Sequence, residues 1–305
     1  MDIAILIPCY NEELTIQKVI GDFKAVLPEA TVYVYDNNST DKSAELAQSA
    51  GAVVINEYYQ GKGNVVRSMF RNIDADVYVL VDGDDTYPAS AIAQLIQPVI
   101  IGISDMTVGD RLSNNSYKHE NKRNFHCFGN QLVRGLINQL FGADLKDIMS
   151  GYRVFNKRFV KLLPILSSGF ELETEITLHA LDKRYHIQEI PIMYKDRPIG
   201  SVSKLNTFSD GARVIKTILW IFKDYRPLMF FSTVSLFFFL LSLGVGMPVI
   251  NEFLHTGFVY KVPSAVLAAA MAMLAGVALT CGLVLDTLVK QNKQNYEIIR
   301  NRRFE

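Results

Sequence analysis

Val77-Tyr78-Val79-Leu80-Val81-Asp82-Gly83-Asp84-Asp85 is the stretch that decides the fold. An apolar run without polar alternation leads straight into a carboxylate turn. Such a run reads as a strand covered on both faces, as in a parallel sheet. In sheets of that kind ligands meet the carboxyl ends of the strands, and the acidic turn stands at that end. A solvated turn or a helix start uses the same residue types. Here, however, Asp82 and Asp84 flank a glycine. That arrangement suits a hard divalent ion, Mg²⁺ or Mn²⁺, that bridges phosphate oxygens.

The pattern repeats on either side. Residues 3–8 form a short apolar strand, and Asn11 can cap a helix carrying Leu14, Ile16, Val19, Ile20, Phe23 and Leu27 on one side. Residues 31–35 alternate like a strand and end at Asp36. Residues 43–50 read as helix, 52–56 as strand and 63–72 as helix. A further strand, 106–108, ends near Asp110 and Arg111. This alternation predicts an α/β fold with a largely parallel sheet covered by helices. Polar clusters at 8–12, 36–41 and 82–85 each follow a strand. Residues with a purely structural role would be scattered over both ends.

Composition narrows the possibilities. The 305 residues carry a formal net charge of +0, so no global field points to nucleic acid. Cys9, Cys127 and Cys281 are too few for a disulfide framework, and no cysteine or histidine spacing suits zinc. The chain opens on a strand-like run without a basic-then-apolar leader, so no signal peptide is expected.

Residues 228–250 carry no charge over 23 positions, about 35 Å of helix, enough for a ~30 Å hydrocarbon core. Residues 262–289 carry only Asp286, and 251–261 connect the two as a hairpin. A pair of buried soluble helices would keep a polar face, whereas 228–250 offers little beyond Ser and Thr. Arg213, Lys216, Lys223 and Arg226 precede the hairpin. Lys290, Lys293, Arg300, Arg302 and Arg303 follow it, and the connector holds only Lys261. The positive-inside rule then puts residues 1–206 and a basic tail, 290–305, in the cytoplasm of a multi-pass protein of the inner (plasma) membrane. Segments 125–141 and 207–223 are amphipathic. Core packing stays open for both, but their position beside the spans favours the membrane interface, with 207–227 as a juxtamembrane helix.

Pro8-Cys9-Tyr10-Asn11-Glu12, Asp36-Asn37-Asn38-Ser39-Thr40-Asp41, Gly61-Lys62-Gly63 and Asp82-Gly83-Asp84 together resemble the nucleotide-sugar half of family 2 glycosyltransferases. Ser150-Gly151-Tyr152-Arg153, residues 171–175 and the run from Arg197 to Lys204 extend the match toward the polyprenyl-phosphate branch. That branch includes dolichol-phosphate mannose synthases and bacterial undecaprenyl-phosphate glycosyltransferases. The resemblance implies a GT-A, Rossmann-like domain in which Pro8, Tyr10, Glu12 and Lys62 line the nucleotide-sugar pocket. Asp36 would contact base or ribose, and Asp82 and Asp84 would bind metal and nucleotide. Many relatives have an acidic residue where Asn37 stands, so base contacts do not transfer directly. The implied reaction is inverting transfer of a hexose to polyprenyl (undecaprenyl) phosphate, giving a lipid-linked sugar donor for cell-envelope glycan modification. UDP-glucose or UDP-N-acetylglucosamine is the expected donor, with GDP-mannose open; a homo-oligomer is compatible with two spans per subunit.

The chemistry asks for cations. A phosphate acceptor is already anionic and needs no general base, but it must approach a sugar diphosphate. Metal on the leaving group and basic side chains on the acceptor remove that repulsion. Arg111, Arg123, Arg197 and Lys204 are candidates for the acceptor phosphate, with Ser201 and Ser203 in the same phosphate-friendly loop. For Arg111 and Arg123 a solvated surface charge is an equal reading. Asp84, Asp147 and Arg197 are the expected catalytic groups. Asp147 is either an orienting carboxylate near the sugar or a turn residue. Glu173 and Glu175 either touch the sugar or steady a basic loop. A processive polysaccharide synthase would show Gln-x-x-Arg-Trp, which the surroundings of Trp220 lack. A non-catalytic membrane scaffold would not need the Asp82/Asp84 pair. A metal-dependent nucleotidyltransferase would leave no sugar on lipid.

Overall fold

A computed structural model describes residues 1–113, 124–169, 171–198 and 210–303. They fall into two compact units, Met1–Asp210 and Gly211–Glu305.

The first unit is built on one mixed sheet. β1 (Ile3–Cys9), β2 (Thr31–Asp36), β3 (Val53–Asn56), β4 (Val77–Leu80), β5 (Met106–Asp110), β6 (Arg153–Asn156) and β7 (Ile187–Pro191) lie in the order β3-β2-β1-β4-β6-β5-β7. β1 pairs in parallel with β2 and β4, and β2 with β3. β6 runs antiparallel to both β4 and β5, so the expected parallel sheet carries one reversed strand. In register, Cys9 faces Asp36 and Leu6 faces Leu80. The segments that leave β1, β2 and β4 therefore emerge side by side.

Helices α1 (Ile16–Val26), α2 (Ser43–Ser49), α3 (Lys62–Asn72) and α4 (Ile92–Ile100) cover the sheet. Ile5, Ile7, Val32, Val34 and Val79 pack with Ile16, Ile20 and Phe23 of α1 and with Ile92, Leu95 and Ile96 of α4. Successive strand side chains alternate between faces. Leu6, Tyr78 and Leu80 are buried as well, and so are Val65, Val66, Met69 and Phe70 of α3. Each of these aliphatic or aromatic burials contributes about 1.5–3 kcal/mol, enough to dominate the helix and strand propensities. The chain continues through α5 (Asn124–Phe141), α6 (Lys157–Leu162) and α7 (Leu172–Asp182). Val133 and Ile137 of α5 are buried, so at these positions its apolar stripe packs in protein.

Asn11 does not cap α1, which starts later at Ile16. Its backbone takes φ 53°, a conformation that Asn tolerates better than most residues. Its Oδ1 accepts a hydrogen bond from the backbone N–H of Thr40 at 2.8 Å. The residue thus links the loops after β1 and β2 instead of starting a helix.

The second unit holds α8 (Asp210–Tyr225), α9 (Pro227–Thr256) and α10 (Val262–Arg303). Gly257 closes α9 at φ 72°, where a side chain would be strained. α9 and α10 then pack antiparallel, with the Ser242 hydroxyl donating to Ala268 O and that of Ser235 to Ala275 O, both at 2.8 Å. Leu236, Phe237 and Leu240 on α9, and Met273 and Val277 on α10, remain more than half exposed. Both helices are long and apolar enough to cross a membrane. The basic stretch from Lys290 to Arg303 continues α10 as helix.

Candidate active site

A cleft of about 320 Å³ opens where β1, β2 and β4 end. Its walls include Pro8, Tyr10 and Glu12 after β1, Asn37 after β2, Gly61 and Lys62 at the start of α3, and Asp82 and Asp84 after β4, together with Arg197. Seven of the expected nucleotide, metal and acceptor residues, Pro8, Tyr10, Glu12, Lys62, Asp82, Asp84 and Arg197, thus share one cavity.

The loops are fixed by short hydrogen bonds. The backbone N–H of Glu12 donates to Ser43 Oγ at 2.7 Å, and that of Asn11 to Ser39 Oγ at 2.9 Å. Thr15 ties the start of α1 to the acidic turn, its hydroxyl donating to Gly83 O at 2.7 Å. Asn37 joins the β2 end to the next loop: Nδ2 donates to Glu57 O and Tyr59 O, both at 2.9 Å, while Oδ1 accepts from Gly61 N–H at 2.7 Å. Asn37 was not expected to line the pocket. Only an amide can donate to two carbonyls and accept from an N–H at once.

Charges of opposite sign interleave in the cleft. The Lys62 ammonium lies 2.5 Å from Asp82 Oδ1 and 2.7 Å from Glu173 Oε1. Burial works against that charge, but the two carboxylates outweigh it and raise its pKa. Arg197 Nη2 lies 2.7 Å from Asp84 Oδ2, and Nη1 lies 3.7 Å from Glu12 Oε1. The other Asp84 oxygen accepts the Thr86 hydroxyl at 2.6 Å. Burial, then the nearby Asp82 charge, lifts the Asp84 carboxyl above its usual range despite Arg197. Asp85 instead points to the surface and pairs with Lys18 at 2.7 Å.

Close backbone approaches explain the glycines of the two motifs. A Cβ on Gly151 would sit 2.5 Å from Asp82 Oδ2. One on Gly63 would sit 2.1 Å from Ser167 O, and one on Gly61 2.1 Å from Ser168 O. Glu175 holds that opposing loop by accepting the N–H groups of Leu166 and Ser167 at 2.7 and 2.9 Å. Glu175 therefore steadies the loop against α3.

Asp82 and Asp84 offer hard oxygens to the same cavity, where burial and then the Asp82 charge raise the cost of ionising Asp84. A divalent ion would relieve that cost, taking its remaining ligands from water and phosphate. No cage of three or more His, Cys, Asp or Glu side chains occurs among the described residues. A two-carboxylate set fits an ion that arrives with a diphosphate, so the donor chemistry suits Mg²⁺ or Mn²⁺. Cys9 also lines the cleft, but burial pushes its thiol up to about 12, which removes it as a nucleophile near neutrality.

Asp36 does not line the cleft. Its Oδ2 accepts Ser39 N–H at 3.1 Å, while its buried Oδ1 has no partner among the described residues. Arg111 and Asp147 lie outside the cleft lining and meet each other. Arg111 donates from Nε to Asp147 Oδ2 at 2.7 Å and from Nη2 to Oδ1 at 2.9 Å. Burial opposes the Asp147 charge, yet Arg111 holds its carboxyl below the usual range. Arg153, fully buried, fastens the same segment by donating to Ile148 O and Ser150 O at 2.6 and 2.8 Å. Arg123, Ser201, Ser203 and Lys204 lie outside the described residues.

The model of the family "Glycosyl transferase family 2" matches residues 4–163. The glycosyltransferase AglJ of Haloferax volcanii is 31% identical over 288 residues, 94% of this chain and 93% of that protein. A dolichyl-phosphate hexose transferase of the same organism is 28% identical, covering 74% of this chain and 96% of its own length. Among solved structures, glucosyl-3-phosphoglycerate synthase from Mycobacterium tuberculosis, in complex with Mn²⁺, UDP-glucose and phosphoglyceric acid, superposes with a TM-score of 0.56. It covers 73% of this chain and 79% of its own at 20% identity, a likeness of GT-A fold. The family match lies over the strands, loops and carboxylates that build the cleft, and the chain belongs to glycosyl transferase family 2.

Proposed function

We propose that this protein transfers a hexose from a nucleotide-sugar to polyprenyl phosphate, undecaprenyl phosphate in a bacterial setting, at the cytoplasmic face of a membrane. The observation that carries the reading is the alternation of Lys62, Asp82, Asp84 and Arg197 within one cleft, with contacts of 2.5 to 2.7 Å. In a site of this kind Lys62, Arg197 and a divalent ion would offset much of the negative charge that a diphosphate and a second phosphate bring together.

The nucleotide-sugar lies along Pro8, Tyr10, Glu12 and Lys62, and Asp36 acts from behind the lining by holding Ser39. Asp82 and Asp84 hold Mg²⁺ or Mn²⁺, whose contribution is to neutralise the departing diphosphate. An oxygen of the acceptor phosphate attacks the anomeric carbon as the bond to the diphosphate breaks; the electron pair leaves with the nucleoside diphosphate and the anomeric centre inverts. Arg197 orients the acceptor phosphate, with Arg123, Ser201, Ser203 and Lys204 as further contacts. The M. tuberculosis structure contains Mn²⁺ and UDP-glucose, which favours a UDP-hexose donor; the name of the H. volcanii dolichyl-phosphate hexose transferase favours a polyprenyl acceptor. α9 and α10 anchor the enzyme as a two-span hairpin, with residues 1–206 and the basic end of α10 on the cytoplasmic side.

The test is to incubate purified protein with undecaprenyl phosphate, Mg²⁺ or Mn²⁺ and a panel of UDP- and GDP-sugars. A hexose on the lipid phosphate, found by mass analysis of the lipid fraction, is the expected product. Sugar polymer, or lipid without sugar for every donor, would overturn the reading.

A further inference from the structure

Glu173 shares Lys62 with Asp82 of the acidic turn. Its side chain is 8% exposed and that of Lys62 13%, so the ion pair is shielded from water. The two partners lie 111 residues apart, on α7 and α3. Lys62 opens α3 between Gly61 and Gly63, both pressed against the backbone of residues 167 and 168. That packing leaves the ammonium little freedom to withdraw from Asp82. A fixed cation beside Asp82 is a liability for a carboxylate that must also accept a divalent ion, because cation and ion repel at short range.

We propose that Glu173 is a positioning residue that offsets the charge of Lys62, so that Asp82 keeps affinity for a divalent ion while Lys62 stays bound to it. The inference rests on the functional reading above, in which Asp82 and Asp84 hold the metal. With Glu173 present, the ammonium is shared between two carboxylates, and Asp82 retains negative charge toward the cleft. Without that charge, Lys62 and Asp82 become an isolated neutral pair. An incoming ion must then break the pair or sit beside an uncompensated ammonium. Glu173 is not itself part of the cleft lining; it reaches the cleft through its contact with Lys62.

The experiment measures Mn²⁺ binding by electron paramagnetic resonance on the full chain in detergent, at saturating UDP. Wild type, Glu173→Gln, Asp82→Asn and the double variant Lys62→Met/Glu173→Gln are compared, and thermal unfolding is followed for each. Glu173→Gln keeps shape and hydrogen bonding and loses only charge; it is expected to weaken Mn²⁺ binding by about tenfold. The double variant removes both members of the pair. Because Glu173 also supports the buried Arg153 charge, the unfolding of the double variant is compared with that of Glu173→Gln. Because Lys62 also lines the nucleotide pocket, UDP is titrated again to saturation for the double variant. Its Mn²⁺ affinity is expected to return to within about threefold of wild type, which loss of packing alone would not produce. If Glu173→Gln binds Mn²⁺ like wild type, or the double variant binds as weakly as Glu173→Gln, the charge-offset role is wrong and the metal site stands. Should Glu173→Gln fail to fold, the double variant decides alone: weak Mn²⁺ binding by it overturns the proposal. If wild type binds no Mn²⁺ with UDP, or Asp82→Asn binds it equally well, the functional reading itself fails.

Discussion

Arg197 Nη2 donates to Asp84 Oδ2 across 2.7 Å, although 113 residues separate them. The guanidinium therefore occupies the neighbourhood where the proposed metal and diphosphate meet. It also approaches Glu12 at 3.7 Å. Its side chain remains 31% exposed, so the pair is only partly desolvated and can open at modest cost. A planar fork that bridges donor-side carboxylates can turn to a phosphate with the same geometry.

Arg197→Ala is accordingly expected to raise the KM for polyprenyl phosphate and to lower kcat/KM by about 10²-fold, equivalent to about 2.7 kcal/mol. UDP affinity should stay within about threefold of wild type. Initial rates at varied lipid phosphate, with a parallel UDP titration, separate the two. If UDP affinity falls while the lipid KM is unchanged, Arg197 serves the donor rather than the acceptor.

Asp84→Ala is expected to lower sugar transfer by about 10³-fold or more, because one of the two proposed metal ligands is lost. The variant should remain folded. The carboxyl it removes is already pushed up by burial and by Asp82, so its ionised form contributes little to stability. Transfer that matches wild type, with or without a chelator, would remove the metal from the mechanism. Circular dichroism and detergent extraction report folding independently.

How much of this was legible in the sequence depends on distance along the chain. β1 and β4 are readable because strands buried on both faces leave continuous apolar runs, β2 because its residues alternate, and their polar ends mark the cleft. β6 and β7 were not read. β6 is four residues long, and β7 has no fully buried position. The Arg111–Asp147 fork was missed for a different reason. The sequence singles out both residues separately, Arg111 as an acceptor contact or a surface charge and Asp147 as an orienting carboxylate or a turn residue. Only the fold brings together two residues 36 positions apart and spends both Asp147 oxygens on one guanidinium. The Lys62–Glu173 pair escaped for the same reason, whereas the glycines around Lys62 were a visible sign of close packing.

Asn37 gives a further prediction. Its side-chain amide donates to Glu57 O and Tyr59 O. A carboxylate would face both carbonyls and lose both donors. Asn37→Asp is therefore expected to destabilise the protein by about 2–3 kcal/mol near neutral pH and to loosen the loop carrying Gln60 and Gly61. Denaturant unfolding measures the first effect and UDP affinity the second. An unchanged midpoint would mean that the loop finds other donors.

His179 supplies the dependence on pH. Burial first, then the Lys183 charge, lowers its pKa to about 4, well below the ordinary value of 6.5. The ring sits edge-on to Phe159 and stacks on Tyr185 at 5.9 and 6.1 Å, an aromatic setting that suits the neutral form. Unfolded chain binds the proton at higher pH than folded chain does, so stability rises with pH across this window. The contribution is intact above about pH 6.5, declines as pH falls from there, and is fully lost below about pH 4, a change of about 3 kcal/mol. His179→Phe removes the proton site and keeps a ring. Its stability is expected to vary less between pH 7 and 4 than that of wild type, whatever its stability at pH 7. Parallel slopes for the two proteins, measured by denaturant unfolding across that range, would show that the imidazole is not what titrates.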